Sequence, residues 1–290
     1  MNIGSFELVG YSERGVLGSL LTDIVASGLD ILTKILGFDD HIIKLPENVK
    51  RIQILLEPSL SDFGDPDAVI ILDGSQRHVI FVEAKAGSSW CLSCEFQEFS
   101  QGNTNDPPPG YTSNLFTQLY LKERFVSCYD SQNNTAETRQ LPKWLKKKKD
   151  DGRTGDRSLG ENPTVKRMAY KIMNPSPTVS YLALIPSFGK ANHRDSSKCE
   201  DLSACKLREK LETLVSEGED VWRNNMSKEW FKNIAFITWK DIDKFCMENE
   251  CRMPRTSLTL SVNCGQLYEV DLGDVKNWHA KMRRDHGFDR

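Results

Sequence analysis

The chain has 290 residues, 39% of them hydrophobic, with a formal net charge of -3. That is long enough to bury a full core as one large domain, and the charge excludes a protein coated in basic residues, so any contact with nucleic acid must be local. No apolar run approaches the ~20 residues a membrane span needs, and MNIGSFELVGYSERGVLGS lacks the basic start and apolar core of a secretory signal. A cytoplasmic protein with no membrane partner is therefore expected. Its eight cysteines are then expected to stay reduced, the C-x-x-C at Cys91 and Cys94 included, because no second short pair completes a four-ligand zinc set.

In chain order, Val16, Leu17, Leu20, Leu21, Ile24 and Val25 recur at three- and four-residue spacing after Ser12, which predicts a helix from Ser12 to about Leu36 with a break near Gly28. RIQILL at 51 to 56 alternates as a strand does. DAVIILD and HVIFVEAK, joined through Asp73-Gly74, add two strands, and their continuous apolar runs suit strands covered on both faces. After a loop with the Pro107 to Pro109 run, NLFTQLYLKERFVSCY predicts a helix of about 15 residues. Residues 130 to 163 are polar and hold Lys146 to Lys149, and the segment 130 to 178 as a whole reads as an insertion or mobile basic segment. VSYLALIP at 179 to 186 and NIAFITW at 233 to 239 have strand composition, with a charged helical stretch from Ala204 between them. Helices between the later strands imply crossover connections, hence a single α/β domain over 1 to 290 with a mixed central sheet flanked by helices. Residues 243 to 290 read as a C-terminal extension, with a strand at 255 to 262 and a helix at 274 to 284.

The chemistry concentrates in the central hairpin. Glu83 and Lys85 are two residues apart on a strand, so their side chains leave the same sheet face about 7 Å from each other. Asp67 begins the neighbouring strand, which the turn brings beside the end of the second. Asp67 and Glu83 can therefore converge on one point. Two carboxylates, a backbone carbonyl and water are the hard oxygen donors that Mg2+ or Mn2+ prefers, and such an ion can polarise a phosphoryl oxygen and acidify a water. A lysine beside it can orient that water or meet the charge developing on phosphorus. Asp65, two residues before Asp67, would share its side of the strand and stays open as a second candidate for the ligand role. Asp73 reads as a turn residue.

Pro66-Asp67, followed after a hairpin by Glu83-Ala84-Lys85, resembles the signature of the PD-(D/E)XK nuclease superfamily, and the surrounding element order resembles its restriction-endonuclease-like fold. The resemblance covers residues 12 to 129, with 179 to 242 completing the core. It implies a Mg2+- or Mn2+-dependent nuclease acting on DNA. Asp67 and Glu83 are the implied metal ligands, with the Ala84 carbonyl, and Lys85 is the implied catalytic lysine. Many members carry a glutamine on the following helix, here Gln118, and a glutamate on the first helix, here Glu13. The form in which tyrosine follows that glutamine by four residues is not met, because position 122 is Lys122. Members with an iron-sulfur cluster place a cysteine ahead of the motif, and none precedes Cys91 here.

Lys143, Trp144, Lys146, Lys147, Lys148, Lys149 and Arg153 are the candidate nucleic-acid contacts, lysines for phosphates and the indole for stacking on a base. A homodimer is expected only from the task of cutting two strands. No H-E-x-x-H, G-x-x-x-x-G-K-[ST] or G-x-S-x-G pattern occurs, which removes zinc hydrolysis of that type, a P-loop motor and a standard serine hydrolase. The alternative readings are a catalytically inactive, nuclease-like DNA-binding or assembly subunit, and a phosphohydrolase of small molecules on the same site.

Overall fold

The computed structural model describes residues 17–18, 20–21, 24, 36, 43–85, 90–101, 113–130, 135–136, 162–186, 188–190, 199–201, 204–217, 230–231 and 233–248. Three strands come first: β1 (Arg51–Leu56), β2 (Ala68–Asp73) and β3 (Arg77–Ala84). Helices α1 (Leu92–Gln101) and α2 (Leu115–Cys128) follow, then the short strands β4 (Tyr129–Asp130) and β5 (Thr135–Ala136) and helix α3 (Pro163–Met173). The chain continues through β6 (Thr178–Ile185), β7 (Phe188–Lys190), β8 (Cys199–Asp201), α4 (Ala204–Glu217), β9 (Ile234–Thr238) and α5 (Trp239–Glu248).

The main sheet has five strands in the order β1-β2-β3-β6-β9. β1, β2 and β3 pair antiparallel, whereas β3 with β6 and β6 with β9 are parallel. Each parallel step needs a crossover, and helices occupy both. The fold is thus α/β, a mixed open sheet flanked by helices.

Strand periodicity divides the core in two. Val69, Ile71, Val79, Phe81, Tyr181, Ala183 and Phe236 face a layer built by α1 to α4, where Phe96, Phe116, Phe125, Ile172 and Leu211 are buried. Ala68, Ile70, Ile80, Val82, Leu182 and Ile237 face the opposite layer, made by the helical residues Leu17, Leu20, Leu21 and Ile24 and by Trp239, Ile242 and Phe245 of α5. Because β2, β3 and β9 carry apolar side chains on both faces, their sequences run nearly unbroken in Val, Ile and Phe.

Three elements depart from the sequence expectation. α1 falls where only a loop was expected. Its Leu92, Phe96 and Phe99 recur at helical spacing and are buried, and Glu95 stands in the favourable first turn. α3 lies inside the stretch 130 to 178 expected as an insertion or mobile segment. Its Val165, Ala169, Ile172 and Met173 join the core, and the Asn162 side chain caps its N-terminus. The first residues of the expected C-terminal extension, 243 to 248, complete α5, with Phe245 buried. The expected elements at 255 to 262 and 274 to 284 lie outside the described residues. No helix among the described residues is long and apolar enough to cross a membrane.

Candidate functional site

The hairpin register builds the site. Ala68 pairs with Val82, so one step further out Asp67 stands across from Glu83. Both belong to the odd-numbered face that meets α2, at the carboxyl end of β3, where crevices open in α/β sheets. Asp67 Oδ2 accepts a hydrogen bond from the Ala84 N–H at 2.8 Å, fixing the acid against the strand that carries its partner. Asp65, by contrast, accepts from the Leu60 N–H through Oδ1 at 3.2 Å. Its carboxylate ties the 60 to 65 loop, and Asp67 is the acid beside Glu83.

Two further contacts hold the end of β3. The Lys85 N–H donates to the Leu184 carbonyl of β6 at 2.8 Å, and Trp239 Nε1 donates to the Lys85 carbonyl at 2.7 Å. The Lys85 side chain reaches the other way, its Nζ donating to Gln118 Oε1 at 3.2 Å. Gln118 is half-buried on α2, one turn inside a secured N-terminus. There the Asn114 side chain accepts from the Thr117 N–H at 3.0 Å and Glu95 of α1 accepts from the Leu115 N–H at 2.6 Å.

One turn beyond Gln118, α2 brings in Lys122, which the sequence reading set aside for not being tyrosine. Its Nζ stands 3.2 Å from Glu83 Oε1 and donates to the Phe63 carbonyl at 3.2 Å. The turn allows this approach because Gly64 has φ +72°, and a Cβ there would lie 3.1 Å from Lys122 Nζ. Sequence did contain a signal. Leu115, Leu119, Lys122 and Phe125 follow helical spacing, so Lys122 falls on the apolar face of α2.

The four charged side chains are interior: Asp67 is 7% exposed, Glu83 1%, Lys85 7% and Lys122 0%. Formally, two acids and two ammonium groups balance. Burial pushes the Glu83 carboxyl up to about 7, and Asp67 adds to the rise, while Lys122 and Lys85 oppose it. Lys122 Nζ is the charged partner of Glu83 Oε1, and among the described residues no other donor reaches that oxygen. A buried carboxyl beside a second acid suits a cation ligand through the oxygen that Lys122 does not hold. Asp67, Glu83 and the Ala84 carbonyl are donors that fit Mg2+ or Mn2+. Among the described residues no group of three or more His, Cys, Asp or Glu side chains could hold a metal, so such an ion would draw its remaining ligands from the backbone and water.

Other candidates separate from this cluster. Cys91 and Cys94 are free thiols at the start of α1, with Cys94 Sγ donating to Cys91 Sγ at 2.7 Å, and burial and this bond push the Cys94 thiol up to about 12. Asp73 pairs with Arg77 at 2.7 Å in the turn. His78 is a core residue whose Nε2 meets Ser180 Oγ at 2.9 Å, and burial lowers its pKa. Glu13 and the basic set Lys143, Trp144, Lys146 to Lys149 and Arg153 lie outside the described residues. No family model, curated protein or solved structure matches the chain.

Proposed function

We propose that the chain is a metal-dependent nuclease of the PD-(D/E)XK kind, with a restriction-endonuclease-like core, that hydrolyses phosphodiester bonds in DNA. The observation that carries the reading is the register placing Asp67 across from Glu83, with Lys85 two residues on and held by Gln118. An antiparallel β1-β2-β3 meander followed by parallel β6 and β9 supports the resemblance in topology.

Asp67 and Glu83 would hold Mg2+ or Mn2+ with the Ala84 carbonyl. When bound, the ion supplies a Lewis acid for the scissile phosphate and lowers the pKa of a water to be used as nucleophile. The chain's own part is orientation and charge. Lys85 has three donor protons and gives one to Gln118, so it can present another to the attacking water or to a non-bridging phosphate oxygen. The hydrogen bond from Trp239 fixes the backbone from which Lys85 projects. DNA as substrate follows from the family resemblance and from the basic segment 143 to 153.

Plasmid, linear and single-stranded DNA, and RNA, incubated with Mg2+ or Mn2+, test the reading. Cleavage that disappears with EDTA and in Lys85→Ala is expected, and absence of metal-dependent cleavage of every polymer would overturn it. A second reading, a catalytically inactive nuclease-like DNA-binding subunit, draws on the Lys122 ammonium already paired with Glu83. It predicts DNA binding unaffected by Mg2+ and no cleavage.

A further inference from the structure

We propose that Lys122 fills the place beside Glu83 that a second cation would take, so that the site binds a single divalent ion. The inference rests on the metal-dependent reading above and adds a stoichiometry and a role for a residue that the family motif does not include.

Paired divalent ions in phosphodiester-cleaving sites stand about 3.5–4 Å apart and share ligands between them. Here Glu83 Oε1 meets Lys122 Nζ at 3.2 Å, and the same ammonium is anchored on the Phe63 carbonyl at 3.2 Å. Lys122 is wholly buried, and the Gly64 turn closes over its tip. It is thus built in from both sides. Asp67 Oδ2 is meanwhile engaged by the Ala84 N–H. A second ion on Glu83 would have to displace a fixed ammonium.

Charge points the same way. The acids Asp67 and Glu83 are already matched by Lys85 and Lys122. One divalent ion brings an excess of positive charge that a phosphodiester and solvent can meet. A second ion would raise that excess in a site where, among the described residues, no third acid, histidine or cysteine joins the pair. Lys122 is therefore a positioning residue: it fixes Glu83 and the Phe63-Gly64 turn, and holds a permanent single positive charge where a second ion would stand.

The test counts Mn2+ bound to the full chain by electron paramagnetic resonance of the free ion, without reference to activity. One Mn2+ per chain is expected for the wild type and two for Lys122→Ala. Two ions in the wild type overturn the inference and leave the metal-dependent reading standing. No bound ion removes that reading, and this inference with it. A count that stays at one in Lys122→Ala overturns the role given to Lys122. Should that variant fail to fold by circular dichroism, Lys122→Asn, shorter and uncharged but able to donate, is counted in its place, and the wild-type count decides in either case.

Discussion

The two ends of the β2-β3 hairpin carry acid-base pairs of opposite character. At the turn, Asp73 and Arg77 meet at 2.7 Å with side chains 31% and 11% exposed. Gln53 adds a hydrogen bond to Asp73 at 3.3 Å, and the Arg77 guanidinium also donates to the Lys171 carbonyl. At the other end Glu83 and Lys122 meet at 3.2 Å with both side chains 1% exposed, and among the described residues Glu83 Oε1 has no donor besides that ammonium. The first pair is partly exposed and closes a turn, its guanidinium engaged through both terminal nitrogens while Nε has no partner among the described residues. The second is enclosed, imperfectly bonded and shifted toward the protonated form, so it costs the fold stability that a pair of apolar residues would not. Such a cost is expected where the arrangement serves a ligand.

This contrast can be broken by experiment. Asp67→Asn, Glu83→Gln and Lys85→Ala should each lower Mg2+-dependent cleavage by about 10²–10³ or more while the circular dichroism spectrum is kept. A variant that cuts normally would remove its residue from the site. Next in size, Lys122→Met at pH 8 should lower the free energy of unfolding in urea by about 3–5 kcal/mol, because the buried Glu83 charge is left without its partner.

The third effect is on pH. Glu83 is raised from 4.5 to about 7 in the folded chain, so between those values the native state holds a proton that the unfolded chain has released. Its contribution to stability is fully present below 4.5 and is lost as pH rises through about 7. In EDTA, the urea midpoint of the wild type should therefore fall from pH 5 to pH 8 more than that of Glu83→Gln; equal falls would show that Glu83 titrates normally. The smallest change is at the turn. Arg77→Met should cost less than Lys122→Met, on the order of 1–2 kcal/mol, because Asp73 stays partly exposed and keeps its Gln53 hydrogen bond, and an equal loss would erase the distinction between the two ends.

The hairpin was legible because period-2 geometry fixes which residues share a face: Glu83 and Lys85 follow from spacing alone, and Asp67 from closing the turn. The same rule could not separate Asp65 from Asp67, since residues two apart are equivalent in a strand. Their hydrogen bonds distinguish them: Asp65 accepts from the Leu60 N–H and Asp67 from the Ala84 N–H. Gln118 was reached through the family pattern, and that pattern also hid Lys122, whose place among Leu119 and Phe125 was readable from helical spacing. α1 was missed because its polar Ser93, Gln97 and Ser100 dilute a face made by few, large residues. Trp239 as an anchor for Lys85 had no sequence signal, because a bond across 154 residues leaves none in a single chain.

That long bond also orders events during synthesis. The acids and the lysine leave the ribosome early, yet the indole that secures the end of β3 emerges 154 residues after Lys85, roughly 8–30 s later at ordinary elongation rates. Until then the Lys85 carbonyl lacks this donor, although β6 has already emerged to pair with β3. In the proposed function this delay means that a nascent chain can form the Asp67-Glu83 register of the hairpin before the strand end bearing Lys85 is tied down, so full nuclease competence would wait for Trp239.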